Sequence, residues 1–419
     1  MKTNSYEKSG ELFGRALKVI PTGVYGHLGP AESCFIPVDA FPFFSTHAKG
    51  PYFWDVDGNR FIDYMCAYGP NILGYNDSDV DEAVKNQMEK GNCVTSPSFA
   101  MVEMAEKLVD TVEMADWSFF AKNGGDVTSF ALMIAKAATG KKKTIMVKGG
   151  YHGVAPWTQK IGHPGIVEED VKNNIYVEWN NIEQIEKVIL AHKDEIACFI
   201  STPYHHPVFE DNQMPAKGYW KRVRELCTEH NIILAIDDVR CGFRLDMKGS
   251  DHYFGFKADL MCFCKALGNG WNFSAICGTE ALRDAASSVM YTGSYWMSAV
   301  PFAAGKACID KLDRINAPEY LHKLGTKLQK GMVESGKKYG FDLKVSGHPS
   351  MWYMRITDDD SMMLHQEWVA ECVKRGVFFT NHHNLFMNCA MTEEDVKYTH
   401  EVAEEAFRVL RENHPEIGR

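Results

Sequence analysis

NIILAIDDV (231–239) and ADLMCFCKA (258–266) are apolar almost end to end, and each runs out into charged residues. A strand that is apolar along its whole length belongs in a sheet covered on both faces. KTIMVKG (143–149) and EIACFIST (195–202) have the same character. Between these stretches, SFALMIAKAATG (129–140), NIEQIEKVILAHKD (181–194) and GYWKRVRELCTEH (218–230) repeat their apolar positions with helical spacing. Such alternation predicts a parallel α/β sheet. Further out the pattern changes. PYFWDVDGNRFIDYM (51–65) predicts a hairpin turning at Asp57-Gly58. Beyond Pro318, YLHKLGTKLQKGMVESGKKYG reads as helix, KVSGHPSMWYMRI and GVFFT read as strands, and EEDVKYTHEVAEEAFRVLREN closes as an amphipathic helix. The expected organisation is a large, mostly parallel α/β domain over 75–309 and a smaller α+β domain built from both ends, 1–74 and 310–419.

Composition narrows the function classes. The chain has 419 residues, 45% hydrophobic and 24% charged, enough for a large core. Its 45 basic residues against 55 acidic ones give a net charge of -10. That balance argues against a nucleic-acid or anionic-membrane partner, either of which calls for a basic surface. No apolar run approaches a membrane span of roughly 18 residues. The opening MKTNSYEKSGELFGRALKVI carries Glu7 and Glu11 and reads as an amphipathic helix, not a signal peptide. The 12 cysteines are scattered with no CxxC pair, which suggests neither a zinc site nor a disulfide framework. A soluble, cytoplasmic protein is expected.

Four places carry chemistry. Lys265 ends an apolar run, where burial disfavours the ammonium and leaves an amine suited to imine chemistry. Taken alone, it also fits a lysine that snorkels out at a strand end. Asp237-Asp238 stand at the carboxyl edge of a predicted strand, where open α/β folds bind ligands; a loop-capping aspartate is the plainer alternative. Asn123-Gly124-Gly125-Asp126 precede a helix, and glycine backbone N–H groups at a helix N-terminus suit a phosphate. A Gly-Gly turn before a helix is nevertheless common. Gly149-Gly150-Tyr151-His152-Gly153 place an aromatic pair between glycines, either to stack on a planar ligand or simply to pack a loop. Together these supply an imine-forming lysine, a carboxylate for a ring nitrogen, a phosphate cradle and a stacking face, which are the parts a pyridoxal phosphate site needs.

With those residues in place, the chain resembles the class III (subgroup II) aminotransferases of fold type I, most closely the glutamate-1-semialdehyde aminomutase branch. FWDVDGNRFIDY, YGPNILGY, the NGGD loop, GGYHG, AIDDVRCGFR, CKALGNG and the late TEED helix fall in the family's order. The resemblance implies pyridoxal 5'-phosphate as cofactor. It implies that Lys265 binds the cofactor aldehyde and then shuttles the substrate Cα proton, while Asp237 pairs with the pyridinium nitrogen. Val239 would lie beneath the ring and Tyr151 would stack on the other face, with His152 also among the cofactor-binding residues. Asn123, Gly124 and Gly125 would hold the phosphate. A homodimer with shared active sites is implied too, with Ser294 reaching the partner subunit's cofactor phosphate.

The departures bear on substrate. Asn123-Gly124-Gly125 replaces the usual Ser-Gly-Thr and loses a hydroxyl, and Thr202-Pro203 replaces Glu-Pro. The aminomutase branch grips its substrate carboxylate with an arginine in the N-terminal segment. Gly29 aligns there, and no arginine lies between Arg15 and Arg60. Tyr25, Tyr68 and Thr202 are the expected substrate contacts, with Trp296 and His27 nearby. His205-His206 and His382-His383 stand at strand ends as surface, hydrogen-bonded or substrate-facing pairs. No third ligand accompanies either pair, so no metal site is expected. The leading expectation is an aminotransferase passing an amino group from a donor to a keto or aldehyde acceptor by ping-pong chemistry. A 2,1-aminomutase and then a racemase or epimerase are the alternatives. A binding protein with a degenerate site would have lost Lys265 or Asp237, and a nicotinamide dehydrogenase lacks its G-x-G-x-x-G here.

Overall fold

The four apolar stretches all form strands, and they share one sheet. In chain order its members are β1 Trp117–Ala121, β2 Lys143–Val147, β3 Asn174–Val177, β4 Ile196–Ser201, β5 Ile233–Asp237, β6 Leu260–Phe263 and β7 Ser274–Gly278. Their spatial order is β1-β7-β6-β5-β4-β2-β3. All pairings are parallel except those of β7, which runs antiparallel to both β1 and β6. A computed structural model describes residues 1–24, 41–357 and 359–417.

The chain divides into two compact units. The sheet belongs to the unit formed by Ser78–Pro207 and Gln213–Pro318. Every residue of β4, β6 and β7 is buried, as strands without polar alternation require. The helix Gly124–Thr139 lays Val127, Phe130 and Ile134 on this sheet, against Ile200, Ala235, Cys262 and Ile276. Three strands escape the hydropathy pattern. β1 and β7 are short and mix serine, alanine or glycine with their apolar residues, and β3 is a half-exposed edge. Small residues in β7 have a packing reason. Gly278 pairs with Trp117, whose indole N–H donates to the Thr279 carbonyl at 2.8 Å.

The other unit is Met1–Asp77, Val208–Asn212 and Glu319–Arg419. The predicted hairpin is present as Tyr52–Asp55 and Arg60–Asp63, and Asp55 Oδ1 accepts from the N–H groups of Asp57 and Asn59 in its turn. Val377–Phe378 extends this sheet in parallel beside Arg60–Asp63. Leu343–His348 and Met351–Ile356 form a second hairpin. The amphipathic ends are helical over Glu7–Ala16 and Glu393–Asn413, the latter capped by Thr392.

A Cβ on Gly278 would fall 2.1 Å from Trp117 Cζ2, so the indole has to shift to admit it. Gly278→Ala is expected to destabilise the protein by about 1–3 kcal/mol, read as a lower midpoint in denaturant unfolding.

Candidate active site

Asp237 closes β5 and pairs with Cys262 on the adjacent, parallel β6. Lys265 follows two residues after β6 ends, opening the short turn Lys265–Gly268. Both residues therefore stand at the carboxyl edge of the sheet. Lys265 has φ of 43°, a left-handed conformation that costs a non-glycine residue on the order of 1 kcal/mol. Burial, and behind it the Arg240 guanidinium, pull its amine down to about 7. An amine so placed is available unprotonated near neutral pH.

Asp237 is buried and held from two sides. His152 Nδ1 donates to Oδ2 at 2.7 Å, and the Val239 N–H donates to Oδ1 at 3.2 Å. His152 is buried as well, and its Nε2 meets no hydrogen-bond partner among the described residues. Asp238 faces elsewhere. Its Oδ1 accepts from the Ser250 hydroxyl at 2.6 Å and its Oδ2 from the Ser250 N–H at 3.1 Å, which anchors the turn Ser250–Phe254. Of the two adjacent carboxylates, only Asp237 is held at the lysine's strand edge by the histidine.

The glycine loop packs into the same place. Asn123 precedes the helix Gly124–Thr139, and Asp126 Oδ2 accepts from the N–H groups of Lys122 and Asn123. The N–H groups of Gly124 and Gly125 meet no protein acceptor among the described residues. Two such donors at a helix N-terminus suit a phosphate. Lys122 buries its Nζ without a hydrogen-bond partner among those residues. A Cβ on Gly124 would lie 2.9 Å from Val239 Cγ1, so the valine side chain rests directly on this loop. A Cβ on Gly153 would lie 2.5 Å from Gly125 Cα, so the YHG loop and the NGG loop touch backbone to backbone. Thr128 joins them, donating to the His152 carbonyl at 2.5 Å. Tyr151 is half-exposed beside them, with the Arg240 guanidinium carbon 5.8 Å from its ring centroid.

The structure thus brings together Lys265, Asp237, His152, Val239, Tyr151, Asn123, Gly124 and Gly125. Other expected residues are placed differently. The Thr202 hydroxyl donates to the Tyr204 carbonyl at 2.9 Å, so only its acceptor side remains for a ligand. Ser294 is exposed, and its carbonyl accepts from Cys93 Sγ at 3.7 Å. Trp296 packs on Tyr291 and Phe119 beside the core. His205 stacks on Trp179 and its ring is pulled down to about 4 by burial, whereas His206 accepts from Arg240 Nη1 at 3.2 Å. In the other unit, Tyr68 meets His383 edge-on at 5.0 Å, and His382 is buried against Phe209. Tyr25, His27 and Gly29 lie outside the described residues. Among the described residues, no group of three or more His, Cys, Asp or Glu is placed to hold a metal ion. Sequence reasoning passed over Arg240 and Thr128, although Arg240 stands inside the AIDDVRCGFR motif.

A mostly parallel sheet carrying a lysine and a carboxylate on neighbouring strand ends, beside a glycine anion loop, defines a pyridoxal-phosphate transferase of fold type I. Comparison with known proteins agrees. The family described as aminotransferase class-III matches residues 36–407. The aminopentol aminotransferase of Sphingopyxis macrogoltabida is 39% identical over 406 residues, covering 96% of this chain and 94% of that one. The 3-aminobutyryl-CoA aminotransferase of Cloacimonas acidaminovorans is 31% identical over 415 residues, covering 96% and 97%. The solved pyridoxal phosphate internal aldimine form of the Sphingopyxis sp. MTA144 FumI protein superposes with a TM-score of 0.94 at 36% identity, covering 98% of both chains. The chain belongs to the class-III aminotransferases, and it is a pyridoxal-phosphate-dependent aminotransferase.

Burial pushes the Asp238 carboxyl up to about 7 in the folded chain, against about 4 when unfolded. The folded state therefore holds this proton more tightly. The stability it contributes is complete below about pH 4 and is lost as pH rises through about 7. Asp238→Asn is expected to gain thermal stability relative to the unaltered protein between about pH 4 and about pH 7, with a constant difference above that range.

Proposed function

We propose that this aminotransferase works by a two-substrate, ping-pong reaction on amines whose amino-bearing carbon carries no free carboxylate. The observation that supports the reaction is the pairing of β5 with β6, which brings Lys265 and an Asp237 carboxylate held by His152 to the same edge of the sheet. Pyridoxal phosphate supplies an aldehyde and an electron-accepting ring. The chain's own residues do the rest. Lys265 would hold the aldehyde through its amine and, as a free base, would take the proton from the donor Cα and hand it back on the far side of the nitrogen. Asp237 holds the proton on the ring nitrogen, and His152 keeps that carboxylate oriented. Gly124 and Gly125 offer N–H groups to the phosphate in place of the family's hydroxyl. Val239 and Tyr151 would flank the ring.

The substrate reading is supported by the absence of any arginine between Arg15 and Arg60, since a bidentate arginine is the strong anchor for an α-carboxylate. The names of the two relatives point the same way: an aminopentol is an amino alcohol, and 3-aminobutyryl-CoA is a thioester. Tyr25, Tyr68 and Thr202 are the residues we assign to the substrate. The accompanying domain reading is a cofactor domain over 75–309 flanked by 1–74 and 310–419. We also assign a cytoplasmic homodimer in which Ser294 serves the partner subunit's phosphate. The exposure of Ser294, with Met290 and Tyr295 exposed on the same loop, supports that interface. No helix among the described residues is long and apolar enough to cross a membrane.

Lys265→Ala is expected to lose the visible absorption band of lysine-bound cofactor, and transamination with it, while staying folded. Asp237→Asn should retain cofactor and lose a factor on the order of 10²–10⁴ in rate. In the unaltered protein, one donor amine should bleach the visible band and a keto or aldehyde acceptor should restore it. A band that persists with every donor while a single substrate is isomerised would transfer the assignment to an aminomutase.

A further inference from the structure

Two side chains of the cluster have no part in the reaction so far, His206 and Arg240. Arg240 stands three residues beyond Asp237, and Lys265 stands three residues beyond Cys262, the residue paired with Asp237. Because β5 and β6 run parallel, both residues follow adjacent strand ends at one edge of the sheet. Arg240 is tied down there. Its Nη1 donates to His206 Nδ1 at 3.2 Å and to the His206 carbonyl at 3.4 Å, and its guanidinium carbon lies 5.8 Å from the Tyr151 ring centroid. His206 is fixed in turn, buried and edge-on to Tyr204 at 5.4 Å. Accepting at Nδ1 leaves the ring neutral with its proton on Nε2. Burial, together with the adjacent guanidinium, holds its proton affinity well below the usual histidine range. A guanidinium does not give up its proton, so the charge beside Lys265 is permanent.

We propose that His206 is a positioning residue whose ring holds the Arg240 guanidinium beside Lys265, where this fixed positive charge frees the amine to bond the cofactor aldehyde. The inference rests on Lys265 being the cofactor lysine. In that bonding step the amine lone pair forms the carbon–nitrogen bond and the carbonyl oxygen leaves as water; an ammonium has no lone pair to give. Among the described residues, Asp237, Arg244 and the Cys264 thiol also face Lys265. Asp237 acts in the opposite sense but is engaged by His152. His206 itself faces Arg240, His205 and His152. The pair is a further determinant of the family reaction, built from residues this chain places together.

The test follows Lys265 in the full-length protein freed of cofactor, acylated with acetic anhydride from about pH 5 to about pH 10 and quantified by peptide mass spectrometry. Arg240→Gln and His206→Phe are expected to move the labelling midpoint upward by about one pH unit, which is about fivefold slower labelling at neutral pH. His206→Asn, whose amide oxygen can stand in for Nδ1 as acceptor, should restore the midpoint. The visible band of the loaded variants should titrate in the same order. Unchanged midpoints in Arg240→Gln and His206→Phe, with unchanged circular dichroism, would overturn the proposal. If His206→Phe does not fold, Arg240→Gln decides alone. Failure of the underlying reading is a separate result, a Lys265→Ala protein that keeps the visible band.

Discussion

The parallel pairing of β5 with β6, with Asp237 opposite Cys262, is the constraint on which the site depends. It sets a carboxylate, a guanidinium and an amine at fixed offsets along one sheet edge. The sheet can hold that register because its central strands are buried on both faces, and a slip of one residue would exchange every side chain between those faces. Apolar burial over the whole sheet thus stabilises a small group of polar residues that would be costly to assemble alone.

Those polar residues are held by one another more than by solvent. His152 steadies Asp237, and His206 steadies Arg240. Both histidines arrive from loops following neighbouring strands, β2 and β4. Each couples a fixed charge to a buried ring, so orientation is settled before any ligand arrives, which lowers the reorganisation required during reaction. The left-handed backbone at Lys265 belongs to the same economy: local strain is tolerated where the surrounding packing leaves the chain no other course.

The anion loop follows a different logic. Gly125 and Gly153 meet backbone to backbone, and Val239 rests on Gly124. At Gly153 a side chain would collide with Gly125, and φ of 108° already favours glycine. Two N–H groups at the helix N-terminus remain without protein acceptors among the described residues.

Much of this was legible in the residues. Unbroken apolar runs identified β2, β4, β5 and β6, and the helical spacing between them implied the parallel sheet, because burial on two faces leaves no room for polar alternation. Lys265, Asp237 and the two glycine loops stood out because charge and glycine are unexpected at buried strand ends. The weakly patterned strands were not legible: β7 is made of small residues that make sense only against Trp117. Residue pattern alone did not separate Asp237 from Asp238, two identical carboxylates side by side; the family resemblance is what pointed to Asp237. Side chains alternate along a strand, so one meets His152 and the other meets Ser250, and those partners are 85 and 12 residues away. The sequence by itself determined which chemical groups the protein has and that a parallel sheet would carry them. The tertiary structure decided which carboxylate, which histidine and which arginine lie against one another, because long-range partners are chosen by packing and register.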